Sequence, residues 1–302
     1  PNIGDTIKLT ITKQPIIITR TDENRIKAYF NICQHRGGPI VDENNCYQQF
    51  QCQYHGWIYT NEGKLKNARG FDKDELKKSD FNLKEINVSV WNGLMFINFD
   101  KRCNSLESIY EKLEKRINKR NFSSYQFYKR DSYNISCNWK IYMDNYLEGL
   151  HIPIVHPELN KTINYKSYKT EKHDQFSLQW CSIDEQLNPY KNDSSEDLIA
   201  YYVTIFPNVI LNIAPGRLQT NIVEPIDEKS CLVHFDYYFE QIDEKQVQRD
   251  LDFCDIIQRE DIEICESVQA SYEAKGFKNG IISKRYEPGI LHFHSRLKEI
   301  LL

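Results

Sequence analysis

Near the start of the chain, Cys33, His35, Cys52 and His55 offer two thiolates and two imidazoles in two short arms. The arms read C-x-H and C-x-x-H, with sixteen residues between them. That donor set suits a two-iron, two-sulfide centre in which one iron takes both cysteines and the other both histidines. The surrounding loops are Cys33-Gln34-His35-Arg36-Gly37-Gly38-Pro39 and Cys52-Gln53-Tyr54-His55-Gly56-Trp57. A glycine after each histidine has no Cβ, so backbone N–H groups can approach the inorganic sulfurs. Zinc uses the same donor types and is the alternative, although zinc fingers usually group two cysteines and then two histidines.

A second set follows about a hundred residues later, and beside the first it completes one chemistry. Asp144, Glu148, His151 and His156 spell D-x₃-E-x₂-H-x₄-H. The spacings of Asp144, Glu148 and His151 predict one face of a helix over 138–150. Pro153 cannot continue that helix, so the chain is expected to turn there and swing His156 beside His151. Two histidines and one carboxylate with open positions form the facial triad of non-haem Fe(II) sites that activate O₂. The carboxylate is expected from the segment Gln258–Glu266. Asp261 is chosen because Ile257, Ile264 and Val268 fall at helical spacing and would face the core, with Glu260 and Glu263 as alternatives.

The elements that must hold these residues differ between the two halves. Short apolar runs at Ile7–Ile11, Pro15–Thr19, Ile26–Ile32, Gln48–Gln51, Trp57–Tyr59 and Leu94–Phe99 predict strands. Ser105 with Leu106, Ile109, Leu113 and Ile117 predicts a capped amphipathic helix. Further strands are expected at Phe176–Ile183, Ile199–Phe206, Val209–Ile213, Leu218–Glu224 and Cys231–Glu240. A long helix is expected over 243–274. The fold class is therefore α+β: a small antiparallel sandwich over 1–103, then an antiparallel sheet under a long helix over 104–302.

Composition narrows the function. Hydrophobic residues make up 40% of the 302, with 19 Tyr and 15 Phe, enough for real cores. Net charge is −4. The basic run of Lys112, Lys115, Arg116, Lys119 and Arg120 is mixed with Glu111 and Glu114, which fits a solvated helix face and not a nucleic-acid stripe. No apolar stretch approaches a membrane span and no signal-peptide pattern is present, so a soluble cytoplasmic protein is expected. Nine cysteines are expected to be reduced, most of them buried. No G-x-G-x-x-G fingerprint occurs, so nicotinamide and flavin binding are expected to lie in a separate protein.

These motifs resemble the α subunit of Rieske non-haem iron oxygenases over nearly the whole chain. Respiratory Rieske proteins carry a further cysteine in each loop, forming a disulfide; here those places hold Gly38 and Tyr54. The segment from Asn138-Trp139-Lys140 to His156-Pro157, with Arg259–Gln269, is similar to the choline and carnitine monooxygenase branch. The resemblance implies an N-terminal all-β Rieske [2Fe–2S] domain and a C-terminal helix-grip (START/SRPBCC-like) catalytic domain. It also implies a mononuclear Fe(II) on His151, His156 and Asp261, and a homotrimer. In that assembly an acidic residue bridges a cluster histidine to an iron-ligand histidine of the neighbouring subunit. Most members use Asp there; this chain has Glu148, as carnitine-type enzymes do. Electrons are expected from a separate NAD(P)H-dependent reductase or ferredoxin.

The expected activity is hydroxylation or N-demethylation of a small organic substrate, favoured as an amine or quaternary ammonium. Aromatic-ring dihydroxylation is the runner-up. The rival of another class is a Rieske electron-transfer protein with a non-catalytic second domain. Trp180, Tyr201, Tyr202, Phe206, Asn208 and Asn212 are the expected pocket walls, where aromatic rings can cage a cation.

Overall fold

The computed structural model describes residues 2–72, 74–118, 120–184 and 198–302; Lys119 of the basic run lies outside them. The chain divides into two compact units, Pro1–Lys115 and Arg116–Leu302.

The first unit is built on nine strands: β1 Asp5–Ile11, β2 Gln14–Asp22, β3 Arg25–Phe30, β4 Asn45–Cys46, β5 Gln49–Gln51, β6 Ile58–Thr60, β7 Leu65–Asn67, β8 Glu85–Trp91 and β9 Leu94–Asn98. They form a six-stranded sheet in the order β4-β1-β2-β3-β8-β9 and a three-stranded sheet β5-β6-β7, all antiparallel. Strand β2 is buried on both faces, which explains its unbroken run Pro15-Ile16-Ile17-Ile18. Ile17 packs with Tyr29, Phe50, Trp57 and Tyr59, and the same core contains Cys33 and Cys52. Ile16 and Ile18 pack with Ile86 in a separate core.

Helix α1, Leu106–Arg116, starts at Ser105 as expected; Ser108 N–H donates to the Ser105 hydroxyl (3.4 Å). The expected domain break at 103/104 falls before this helix, whereas the structural break falls at its end. Trp91 explains the difference: it stacks on Tyr110 of α1, and its Nε1 donates to Glu114 Oε1 (2.8 Å).

The second unit has a seven-stranded antiparallel sheet made from β10 Gln126–Ile135, β11 Lys169–Lys172, β12 Phe176–Ser182, β13 Ile199–Ile205, β14 Val209–Ala214, β15 Arg217–Pro225 and β16 Cys231–Phe239. Its order is β10-β16-β15-β14-β13-β12-β11. Helices α2 Trp139–Tyr146, α3 Ile152–Val155, α4 Pro157–Thr162, α5 Glu244–Glu273 and α6 Pro288–Leu301 complete it. Asp243 caps α5, accepting from Lys245 N and Gln246 N. The 30-residue α5 packs against the sheet through a core shared with α2, α6 and strands β14 to β16.

Strand β10 and helix α6 are not apparent in the sequence pattern. Strand β10 is mostly polar because it lies at the sheet edge, where Arg130 makes a bidentate pair with Asp236 (2.5 and 2.6 Å). Among the described residues, no helix is long and apolar enough to cross a membrane.

A candidate cluster site and a candidate metal centre

In the first unit, the two ligand arms are the same backbone turn used twice. Gly37 N–H donates to Cys33 C=O and Gly56 N–H to Cys52 C=O, both at 3.0 Å. Gly37 and Gly56 have φ of 76° and 74°, a left-handed conformation that favours glycine. A Cβ on Gly37 would meet nothing within 4 Å. The left-handed φ that closes the turn is what favours glycine there. Gly38 is the residue that allows close approach. A Cβ there would lie 2.9 Å from Tyr54 Cβ and 3.0 Å from Cys52 Sγ.

Asn31 locks the exit of the first loop. Its Oδ1 accepts from Ile40 N (2.9 Å) and Val41 N (3.0 Å), and its Nδ2 donates to Val41 O (2.7 Å). Cys33 and Cys52 are buried, whereas His35 and His55 are half-exposed with ring centroids 4.7 Å apart. Tyr59 was not singled out by the sequence. Its hydroxyl accepts from Gln34 N–H (3.0 Å) and lies 3.2 Å from Cys33 Sγ, well placed to donate to that sulfur. Burial pushes the Cys33 thiol up, partly offset by this contact. His35 stacks on Trp57 (4.8 Å, 8°), and its Nδ1 is buried without a hydrogen-bond partner. Such an orphaned nitrogen is costly unless a metal takes it, so the donor set fits a cluster.

The second unit gathers His151, His156 and Asp261, whose ligand atoms all lie within 4.8 Å of one another. The route there differs from the helical face expected. Helix α2 starts at its cap Asn138, whose Oδ1 accepts from Lys140 N (3.0 Å), and ends at Tyr146. Glu148 then folds its carboxylate back onto Leu150 N and His151 N, replacing helical bonds with a side-chain turn. His151 directly precedes α3, and Pro153 stands in the first turn of that helix, where proline is tolerated. His156 closes α3 and is followed by Pro157, which opens α4. The two prolines thus start helices; the turn comes from Glu148.

Each histidine is clamped by a carboxylate on Nδ1. Glu148 Oε1 lies 2.5 Å from His151 Nδ1, and Glu260 Oε2 lies 2.7 Å from His156 Nδ1. Asp261 Oδ1 lies 3.0 Å from His156 Nε2 and 3.8 Å from His151 Nε2. Asn145, which the sequence did not single out, donates to the same Oδ1 (2.6 Å). Burial works against a charged His156, but Asp261 and then Glu260 outweigh it and raise its pKa. Glu263 is exposed. Asp144 does not line the cavity beside the triad, and both of its oxygens pair with His294 Nε2 (2.9 and 3.0 Å).

The reason given for Asp261 needs correction. Ile264 is 36% exposed, and the buried stripe of α5 runs through Leu251, Cys254, Gln258 and Cys265. Asp261 falls in that stripe between Gln258 and Cys265. Glu266 and Gln269 pin α5 to the start of α2 by accepting from Ser136 N and Asn138 N, both at 2.8 Å.

A cavity of about 120 Å³ opens on the triad. Of the expected walls only Tyr202 and Asn212 line it. Trp180 and Tyr201 pair across β12 and β13, so they share one sheet face, and each packs under an arginine, Arg116 and Arg120. Phe206 packs on Phe293, and Asn208 donates to Val223 O (2.9 Å).

Comparison with known proteins identifies the family of each unit. Residues 2–87 match the Rieske [2Fe–2S] domain, and residues 122–302 match the ring hydroxylating alpha subunit (catalytic domain). The choline monooxygenase of Arabidopsis thaliana is 29% identical over 93% of this chain and 70% of its own length. The carnitine monooxygenase oxygenase subunit of Escherichia coli (strain K12) is 26% identical over 99% of this chain and 84% of its own. The chain spans 66–70% of the length of the choline monooxygenases it matches. Among solved structures, a quaternary ammonium Rieske monooxygenase has TM-score 0.81 at 23% identity, covering 99% of this chain and 85% of that one. Naphthalene 1,2-dioxygenase from Rhodococcus sp. has TM-score 0.76 at 18% identity, covering 100% and 87%. The catalytic match over more than half the chain sets aside a bare electron carrier, and the Rieske match sets aside a zinc protein. The chain belongs to the ring-hydroxylating α-subunit family of Rieske oxygenases, oxidoreductases that use a [2Fe–2S] cluster and a mononuclear iron.

Proposed function

We propose that this chain is a terminal oxygenase that oxidises a small amine or quaternary ammonium compound, using O₂ and electrons from a separate NAD(P)H-dependent reductase or ferredoxin. The carrying observation is the His151–His156–Asp261 set facing a cavity, with each imidazole held from behind by a carboxylate. Cys33, His35, Cys52 and His55 would hold the cluster, and His151, His156 and Asp261 the mononuclear iron. When bound, the cluster supplies single electrons and the iron supplies O₂ activation.

The protein's own part is orientation. Glu148 and Glu260 accept the Nδ1 protons of His151 and His156, which leaves each Nε2 lone pair directed at the metal position and raises ligand basicity. Asn145 donates to Asp261 and fixes the third ligand's rotamer. We assign Glu148 as the bridging carboxylate of a homotrimer. The solved quaternary ammonium monooxygenase, described with inter-subunit electron transfer, supports that assignment. Asp144, bound to His294, is given no contact with substrate.

The choline and carnitine monooxygenases among the relatives favour an ammonium substrate. The resemblance to naphthalene dioxygenase keeps ring attack as the second reading. A reductase-coupled substrate screen read by mass spectrometry separates them. Formaldehyde release or side-chain hydroxylation of an ammonium compound is expected. A cis-diol from an arene, with ammonium compounds untouched, would overturn the reading.

A further inference from the structure

Away from the triad, the cavity wall is unexpectedly polar. Gln258 lies on α5 just before Asp261, is 2% exposed, and lines the cavity. Its Oε1 accepts from Tyr142 OH (2.8 Å), while its Nε2 makes no hydrogen bond within the protein. Buried amide donors are rarely left so, because the desolvation cost is not recovered. Tyr142 is itself buried and holds the amide in place.

Arg217 stands on the sheet side of the same cavity, 6% exposed. Its Nη1 donates to Gln219 Oε1 (3.1 Å), Asp250 Oδ2 (3.3 Å) and Cys254 Sγ (2.8 Å). Asp250 is 2% exposed, so the guanidinium charge is already matched by a buried carboxylate. Gln219 Nε2 in turn donates to Asn221 Oδ1 (2.8 Å). Arg217 Nε, like Gln258 Nε2, is buried without a hydrogen-bond partner, but the guanidinium charge is matched by Asp250, so this wall offers N–H donors and no net positive charge.

We propose that the buried Gln258 amide is a specificity-determining group that donates to a neutral oxygen of the substrate. It would select an ammonium compound bearing a hydroxyl or carbonyl over one bearing a carboxylate or a plain alkyl chain. The Arg217–Asp250 pair enforces the second half of that choice, since a carboxylate finds no uncompensated cation to meet it. The proposal rests on the ammonium reading of the function and refines it.

The test is equilibrium binding to the iron-loaded protein by calorimetry, without turnover. The probes are 2-hydroxyethyl-trimethylammonium, n-propyl-trimethylammonium and carboxymethyl-trimethylammonium. In the wild type the hydroxyl compound is expected to bind about tenfold tighter than the propyl compound, the scale of one recovered hydrogen bond. The carboxymethyl compound is expected to bind more weakly than the hydroxyl compound. Gln258→Met, close in volume, should bring the hydroxyl-to-propyl ratio to about one with little change for the propyl compound. Asp250→Asn, which leaves Arg217 less compensated, should shift preference toward the carboxymethyl compound.

Equal wild-type binding of the hydroxyl and propyl probes would overturn the proposal without any variant needing to fold. An unchanged ratio in a folded Gln258→Met protein would do the same. Wild-type preference for the carboxymethyl probe would show that Arg217 acts as a free anion site, against the proposal. If no ammonium probe binds at all, the ammonium reading itself fails and takes this refinement with it.

Discussion

The two candidate sites are built by opposite means. The cluster arms are local: each is one turn, closed by its own glycine, and the buried thiols belong to the core of their unit. The metal centre is assembled at long range, from a side-chain turn after α2, the two ends of α3 and the middle of α5. A local site carries its geometry in its spacing. A long-range site needs outer carboxylates to hold each ligand, and here Glu148 and Glu260 do so. Perturbation should therefore stay confined at the cluster and spread through partner residues at the metal centre.

The largest effect is expected from His151→Ala. It should abolish iron binding at the second site while the reduced-cluster EPR signal persists; loss of both signals together would mean the sites are not independent. Next comes Glu148→Gln. Cluster and iron should both be retained by metal analysis, with turnover reduced on the order of 100-fold, as expected when a carboxylate behind a ligand histidine is neutralised. Unchanged turnover would remove the bridging role. Glu260→Gln should weaken iron retention against a chelator by about tenfold, with the cluster spectrum unaltered.

At the cluster, Tyr59→Phe deletes one hydrogen bond to Cys33 Sγ. Protein-film voltammetry should find the potential lowered by about 40 mV, equivalent to roughly 1 kcal/mol for one electron. An unchanged potential would mean the Tyr59 hydroxyl donates elsewhere. The smallest effect concerns His294, whose pKa is raised first by its bond to Asp144. Its stabilisation is complete below the ordinary histidine value of 6.5 and fades as pH rises through the raised value. The pair is partly exposed, so His294→Gln should cost only about 0.5 kcal/mol at acidic pH and nothing at alkaline pH, as followed by thermal unfolding.

The same contrast explains what was legible in the sequence. The four cluster ligands could be named from their arms because short turns fix side-chain spacing without help from the rest of the fold. Tyr59 was missed because a buried tyrosine on a strand is ordinary until its hydroxyl is seen beside a sulfur. His151 and His156 were legible as a pair, but the helical face inferred for Glu148 was not what forms. A carboxylate that bonds its own backbone ends the helix, and spacing alone cannot reveal that competition. Asp261 was chosen through Ile257, Ile264 and Val268, of which Ile257 lines the cavity but Ile264 is exposed. The buried stripe on which it lies contains Gln258 and Cys265, a polar and soft face that a hydrophobic pattern does not detect. The pocket walls failed for a related reason: strand alternation puts Tyr202 in the cavity and its neighbour Tyr201 on the opposite face. Helix α6, which supplies His294 to Asp144, gave no warning in the acidic motif itself.

Iron and acid-labile sulfide content of the reconstituted protein, taken with EPR of the reduced state, bears most directly on the presence of two distinct metal sites in one chain. The account predicts about three irons and two sulfides per chain with a Rieske-type signal. Two irons that account fully for that signal, with none held by His151, His156 and Asp261, would contradict it.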